Sequence, residues 1–161
     1  LDAFLRPGVG FENWVSRSNY PALNIVPTGP ATMSFYVNRN YGQPTAYVRR
    51  YELRLDGFAS FHAGYGGGDL LTRPLRMEGS RLELNYSTSA AGGLRVELLD
   101  AATGKPLEGF ALSDATDRIG DEIDGVYRWK TAEDVSALRG RAVQVRFVLK
   151  DADLFAFRFR S

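Results

Sequence analysis

Six carboxylates in two short clusters are the groups best spaced for chemistry: Asp117, Asp121, Glu122 and Asp124, then Asp151 and Asp153. Hard oxygen donors of this kind hold calcium in the loops of β-sandwiches. On that reading Asp121, Glu122, Asp151 and Asp153 are the candidate metal ligands. The spacing does not match an EF-hand loop, and surface turns are rich in aspartate anyway, so a solvated turn explains the clusters as well. A carboxylate pair also does glycosidase acid/base work at separations of ~5–5.5 Å or ~6.5–9.5 Å, a distance that sequence alone leaves open.

The chain has one histidine, His62, which any Ser-His-Asp site would need. Its setting, Phe61-His62-Ala63, equally suits a packed or rim position on a strand. One histidine and no cysteine leave too few soft ligands for a zinc site. The glycine run Gly64-Tyr65-Gly66-Gly67-Gly68 has the look of a phosphate loop. A phosphate cradle, however, needs a helix N-terminus directly after it. The run leads instead into Asp69-Leu70-Leu71-Thr72-Arg73-Pro74, which reads as a strand, so it marks a flexible connection or a close backbone approach. Tyr20, Tyr41 and Tyr65 sit in Gly-, Asn- and Pro-rich loops, where a large ring needs a reason other than the core. Sugar-binding modules use such rings as platforms. Tyr41 and Tyr65, with His62 and Arg73, are therefore the candidate ligand-binding residues, and carbohydrate is the candidate ligand.

The bulk properties narrow the classes. A chain of 161 residues fits one domain and buries enough surface to need no staples. That matters because cysteine is absent, which removes disulfides, thiolate metal sites and cysteine nucleophiles. Twenty basic and nineteen acidic residues leave a net charge of +1, without the basic excess of a nucleic-acid binder. All but three of the basic residues are arginine. Its planar fork suits carboxylates, phosphates and sulfates, though a codon bias toward arginine gives the same count. No stretch approaches the ~20 apolar residues of a membrane span. The start, Leu1-Asp2-Ala3-Phe4, has neither an initiator Met nor a signal-peptide pattern, and it reads as a mature product or a piece of something longer.

The elements that must position these residues are strands. Residues 1–32 are broken by Pro, Gly and Asn and predict an irregular, turn-laden entry segment, although Phe4, Phe11, Trp14, Leu23 and Ile25 within it need burial. Period-two alternation predicts strands at Met33–Val37, Ala46–Leu55, Arg81–Tyr86, Leu94–Leu99, Val126–Trp129, Val143–Leu149 and Leu154–Phe159. Asp56-Gly57 predicts a hairpin returning through Phe58–Ala63. Asp69–Met77 is expected to pair with Arg81–Tyr86. Phe110–Leu112 is a further short strand candidate, Gly120–Gly125 an acidic loop, Ser136–Gly140 one helical turn, and Asp151-Ala152-Asp153 a turn between the last two strands. Nine or ten short strands predict an all-β, antiparallel, jelly-roll-like sandwich.

Several of these runs resemble a family. They are Tyr41-Gly42-Gln43-Pro44-Thr45-Ala46 with Arg49-Arg50-Tyr51, Leu55-Asp56-Gly57-Phe58-Ala59-Ser60, His62-Ala63-Gly64-Tyr65, Gly120-Asp121-Glu122-Ile123, and Arg146 to Leu154. Together they resemble the C-terminal region of large secreted proteins of planctomycete type, in which a β-sandwich follows a five-bladed propeller of the glycoside hydrolase family 32 and 43 kind. The resemblance implies that residues 1–56 are the end of a propeller blade with its linker, packed on a β-sandwich at 57–161. It implies a secreted or periplasmic location and a propeller-type catalytic partner domain in cis. The propeller carries the catalytic carboxylates in such proteins, so no catalytic residue transfers to this chain. The expected function is a non-catalytic accessory domain that stabilises its partner and binds carbohydrate. A self-associating structural module, or a small carboxylate-dependent glycoside hydrolase, are the alternatives.

Overall fold

Alternating apolar and polar residues build the chain from ten antiparallel strands, with a single 3-10 turn at Ser136–Leu138 and no α-helix among the described residues. The computed structural model describes residues 4–6, 8–10 and 19–161. Phe11 and Trp14, expected to need burial, lie outside them. Two compact units, Leu1–Phe58 and Ala59–Ser161, each hold one sheet. The division falls just past Asp56-Gly57. That pair makes a tight turn, with Asp56 at φ 58° and the Gly57 amide donating to Arg54 O. It ends the first unit rather than closing a hairpin.

In the first unit, β3 (Thr32–Arg39) is central. β4 (Tyr47–Arg54) pairs along one side of it, and the two-residue strands β1 (Tyr20–Pro21) and β2 (Val26–Pro27) pair along the other. The entry segment is therefore less irregular than its sequence predicts. Its prolines instead end each strand after two residues, because proline has no amide to donate. The β3–β4 connection is closed by Asn40 at φ 53°, whose carbonyl accepts from Gln43 N, and by Gly42 at φ 76°. Phe35 stands opposite Tyr51 in register, and their rings stack at 5.4 Å, with Phe58 tilted against Phe35 at 5.7 Å.

In the second unit, β10 (Ala142–Arg160) forms the spine. β8 (Arg81–Asp100) runs antiparallel along its whole length, and β9 (Asp121–Tyr127) pairs with the first part of β8. On its other side β10 takes β5 (Phe61–Ala63), β6 (Gly68–Leu71) and β7 (Leu75–Arg76). Four expectations change here. Asp69–Met77 pairs with β10 and not with Arg81–Tyr86. The two strands predicted within 81–99, and the two predicted within 143–159, are each one long strand. Residues 120–125 are mostly β9 rather than a loop. Phe110–Leu112 is a turn, with Phe110 buried against Trp129.

The long strands bend where turns were expected. At Asp151, four residues of β8 (89–92) stand opposite one residue of β10. Asp151 takes φ 43°, and its amide donates to Gly64 O at 3.0 Å. The close approach requires glycine opposite: a Cβ on Gly92 would collide with the carbonyl oxygens of Lys150 and Asp151. The bulge also shifts the inward phase. Val143, Val145, Phe147 and Leu149 are buried before it, then Ala152 and Leu154 after it. A second irregularity between Leu154 and Ala156 shifts the phase back, so that Phe157 and Phe159 pack on the core.

Leu82, Leu84 and Tyr86 from the first half of β8 and Leu94, Val96 and Leu98 from the second share one buried core cluster. β9 ends before it reaches residues 94–100 of β8, so that stretch has no strand on one side, and its backbone is satisfied piecemeal. Leu94 pairs with Arg118. Leu98 N–H donates to Phe110 O and Leu98 O accepts from Leu107 N. Between them, the Tyr127 hydroxyl accepts from Val96 N–H at 3.1 Å, and Trp129 Nε1 donates to Val96 O at 2.9 Å. Two aromatic side chains thus stand in for a missing strand there. This answers the requirement that buried backbone groups be paired.

Candidate functional site

Antiparallel partners share a face, and register in the second unit lines up four polar side chains from four strands. His62 of β5 stands opposite Asp153 of β10, Asp153 opposite Ser87 of β8, and Ser87 opposite Asp121 of β9. The odd-numbered β8 residues around Ser87 point away from the core, since Leu82, Leu84 and Tyr86 fill it. The row therefore lies on the outer face, where His62 and Asp121 are exposed.

Asp153 anchors one end. Its Oδ1 accepts from Ser60 Oγ at 2.6 Å and lies 3.1 Å from His62 Nδ1. A carboxylate partner places the proton on Nδ1 of the neutral ring and leaves Nε2 as an acceptor. Serine, histidine and aspartate meet here, but serine and histidine share the carboxylate oxygen instead of bonding to each other. Nucleophilic catalysis by a Ser-His pair requires the base within hydrogen-bond reach of the serine hydroxyl, whereas here both groups bond to Asp153.

The glycine run carries Tyr65, three residues after His62, in the connection between β5 and β6. Gly67 closes the loop at φ 78°, donating to Gly64 O at 2.9 Å, and β6 follows directly, as its sequence predicts. Tyr65 is 68% exposed, and Lys150 Nζ lies 4.3 Å from its ring centroid. That contact is a cation–π pair that orients the ring.

The other candidate residues are not gathered with these. Arg73 is exposed between β6 and β7. The neighbouring Thr72 binds Val145, six residues along β10 from Asp151 and so about 20 Å away. Tyr41 belongs to the first unit, where it lies 4.6 Å from Tyr20 in a tilted pair. Of the expected metal ligands, Asp121 and Glu122 open β9, Asp151 is the bulge residue of β10, and Asp153 lies two residues beyond it. Among the described residues no three side chains of the His, Asp or Glu kind are close enough to hold a metal ion. Glu122 instead accepts from the Tyr86 hydroxyl at 3.1 Å. Burial first, and then this bond to a carboxylate, push the Tyr86 phenol up to about 12. Asp121 and Asp153 are two strands apart, about 9–10 Å between backbones. Asp121 and Glu122 are both exposed.

No family model, curated protein or solved structure matches the chain. Sequence reasoning missed Ser60, Ser87 and Lys150. The i, i+2 spacing of Ser60, just before β5, and His62 was the available sign for the first. Ser87 and Lys150 become meaningful only once the register of β8, β9 and β10 is known.

Proposed function

We propose that this chain is a non-catalytic accessory β-sandwich module that binds carbohydrate. The observation that carries this reading is the row His62, Asp153, Ser87 and Asp121 across one outer sheet face, with the exposed Tyr65 ring in the loop that follows His62 and β5. Sugar hydroxyls take donors and acceptors spaced along a strand row, and an exposed ring offers a stacking surface for the apolar face of a pyranose. The resemblance of the sequence to the region following glycoside-hydrolase-like propellers supports the same reading and supplies its context, a catalytic partner domain outside the cell.

The test is binding of the chain to a panel of neutral oligosaccharides and polysaccharides, with calcium and with a chelator. Saturable binding that is lost in Tyr65→Ala and in Asp153→Ala, with both variants folded, is the expected result. Retention of full affinity in both variants, or binding to no member of the panel, contradicts it.

A second reading has its own observation. β4 carries no strand on its far edge among the described residues, and Tyr47 and Val48 on it are exposed. Exposed apolar side chains along a strand offer a place for another chain to pair, which supports self-association. Light scattering over a range of concentrations checks it: a mass that rises toward the dimer favours it, and a constant monomer mass removes it.

A further inference from the structure

On the same outer face, four residues along β8 from Ser87 and so about 13 Å from it, a single carboxylate gathers three guanidinium groups. Arg158 stands opposite Glu83 and Arg160 opposite Arg81 in the β8–β10 register. The Glu83 side chain is only 6% exposed. Arg158 contacts its Oε2 with both Nε and Nη2 at 2.7 Å. Arg81 Nε lies 3.2 Å from Oε1, and Arg160 Nη1 lies 3.8 Å from Oε2.

One guanidinium is enough to neutralise one carboxylate. Three therefore leave two surplus positive charges at one spot of a chain whose total charge is +1. The buried Glu83 fixes the plane of Arg158 through contacts to its Nε and Nη2, so part of the ordering cost of binding is already met in the free protein. Glu83 engages only a minority of the five N–H donors that each arginine carries. The three arginine side chains are 45%, 58% and 56% exposed for Arg81, Arg158 and Arg160, so their remaining donors face solvent. Planar forks of this kind take the oxygens of sulfate or carboxylate groups.

We infer that the Arg81–Arg158–Arg160 cluster binds the sulfate or carboxylate substituents of an anionic polysaccharide. The choice of a polysaccharide rests on the carbohydrate reading of the neighbouring polar row. The anion site itself rests on the surplus charge around Glu83.

The experiment is calorimetric titration of the full chain with dextran sulfate, polygalacturonate and unsubstituted dextran. Arg81→Gln/Arg160→Gln removes the surplus charges and keeps the Arg158–Glu83 pair that the fold needs. Arg95→Gln/Arg141→Gln removes the same charge from ion pairs elsewhere. The expected result is saturable binding of at least one anionic polymer, weakened about tenfold or more in the first variant, as loss of a charge-assisted pair implies, and unchanged in the second. A preference for dextran sulfate or for polygalacturonate identifies the substituent.

The inference is overturned if neither anionic polymer binds, if both variants lose affinity equally, or if oligothymidylate binds as tightly as the polysaccharides. The two readings can fail separately. Neutral-glycan binding that depends on Tyr65 but ignores the arginine variant keeps the row and removes the anion site. Arginine-dependent binding of an anionic polymer, with no neutral glycan bound, does the reverse.

Discussion

Tyr127 and Trp129 hold both backbone groups of Val96 where no strand is present to do so. The Tyr127 hydroxyl also donates to Thr116 O at 2.7 Å, so a single phenol ties three segments together. Tyr127→Phe keeps the ring and strands the buried Val96 amide, with an expected cost of about 1–3 kcal/mol, read as a lower denaturant midpoint. An unchanged midpoint would mean that water takes over the amide. Tyr86 makes a different prediction. Its phenol stays protonated in the folded state up to about 12, held there by burial and by Glu122. In the unfolded chain it ionises near the ordinary tyrosine value of about 10. Below that value both states keep the proton and the contribution is complete. As pH rises through the interval, the unfolded state releases a proton that the folded state retains, so stability falls. Thermal melts above pH about 10 should show this loss, and Tyr86→Phe should remove the share owed to this residue. A loss of the same size in the variant would assign it elsewhere.

At the scale of elements, two long strands and the bulge between them decide where everything else lies. The bend depends on the approach of the Gly92 backbone to Lys150 and Asp151. Gly92→Ala is expected to cost about 1–3 kcal/mol by overpacking and to disturb the Lys150–Tyr65 pair. Comparison of its melting temperature and Tyr65 resonances with those of the parent checks this, and an unperturbed protein would contradict it. The strands themselves were legible, because alternation such as Leu82, Leu84, Tyr86 or Val143, Val145, Phe147 has only one reading. What sequence left out was pairing. Asp56-Gly57 and Glu78-Gly79-Ser80 carry hairpin chemistry, yet the strands after them pair with β10, far along the chain. Local turn residues cannot report a partner whose identity is set by a core assembled from distant segments. The site suffered in the same way. His62 stands out as the single histidine and Tyr65 as a ring in a glycine run, but their partners Asp153 and Lys150 come from the far end of the chain, and only the fold joins them. The carboxylates seemed paired because they are close in sequence, whereas the sheet distributes them across β9 and β10.

For the whole molecule, near-neutral charge conceals local imbalance. Twenty basic and nineteen acidic residues nearly cancel, yet three arginines meet one glutamate on one sheet face. The second unit, Ala59–Ser161, has a buried core cluster of its own, and the sheet packed on it carries both the polar row and the arginines. Site precision of that kind favours recognition by a preformed surface. Backbone amide chemical-shift mapping of the intact chain, titrated with the tightest-binding glycan of the panel, tests this most directly. Shifts gathered at Ser60–Tyr65, Ser87, Asp121 and Lys150–Asp153, and extending toward Arg81 and Arg158 when the glycan is anionic, are the predicted result. Shifts gathered away from that face, or no shifts at saturating glycan, would contradict it.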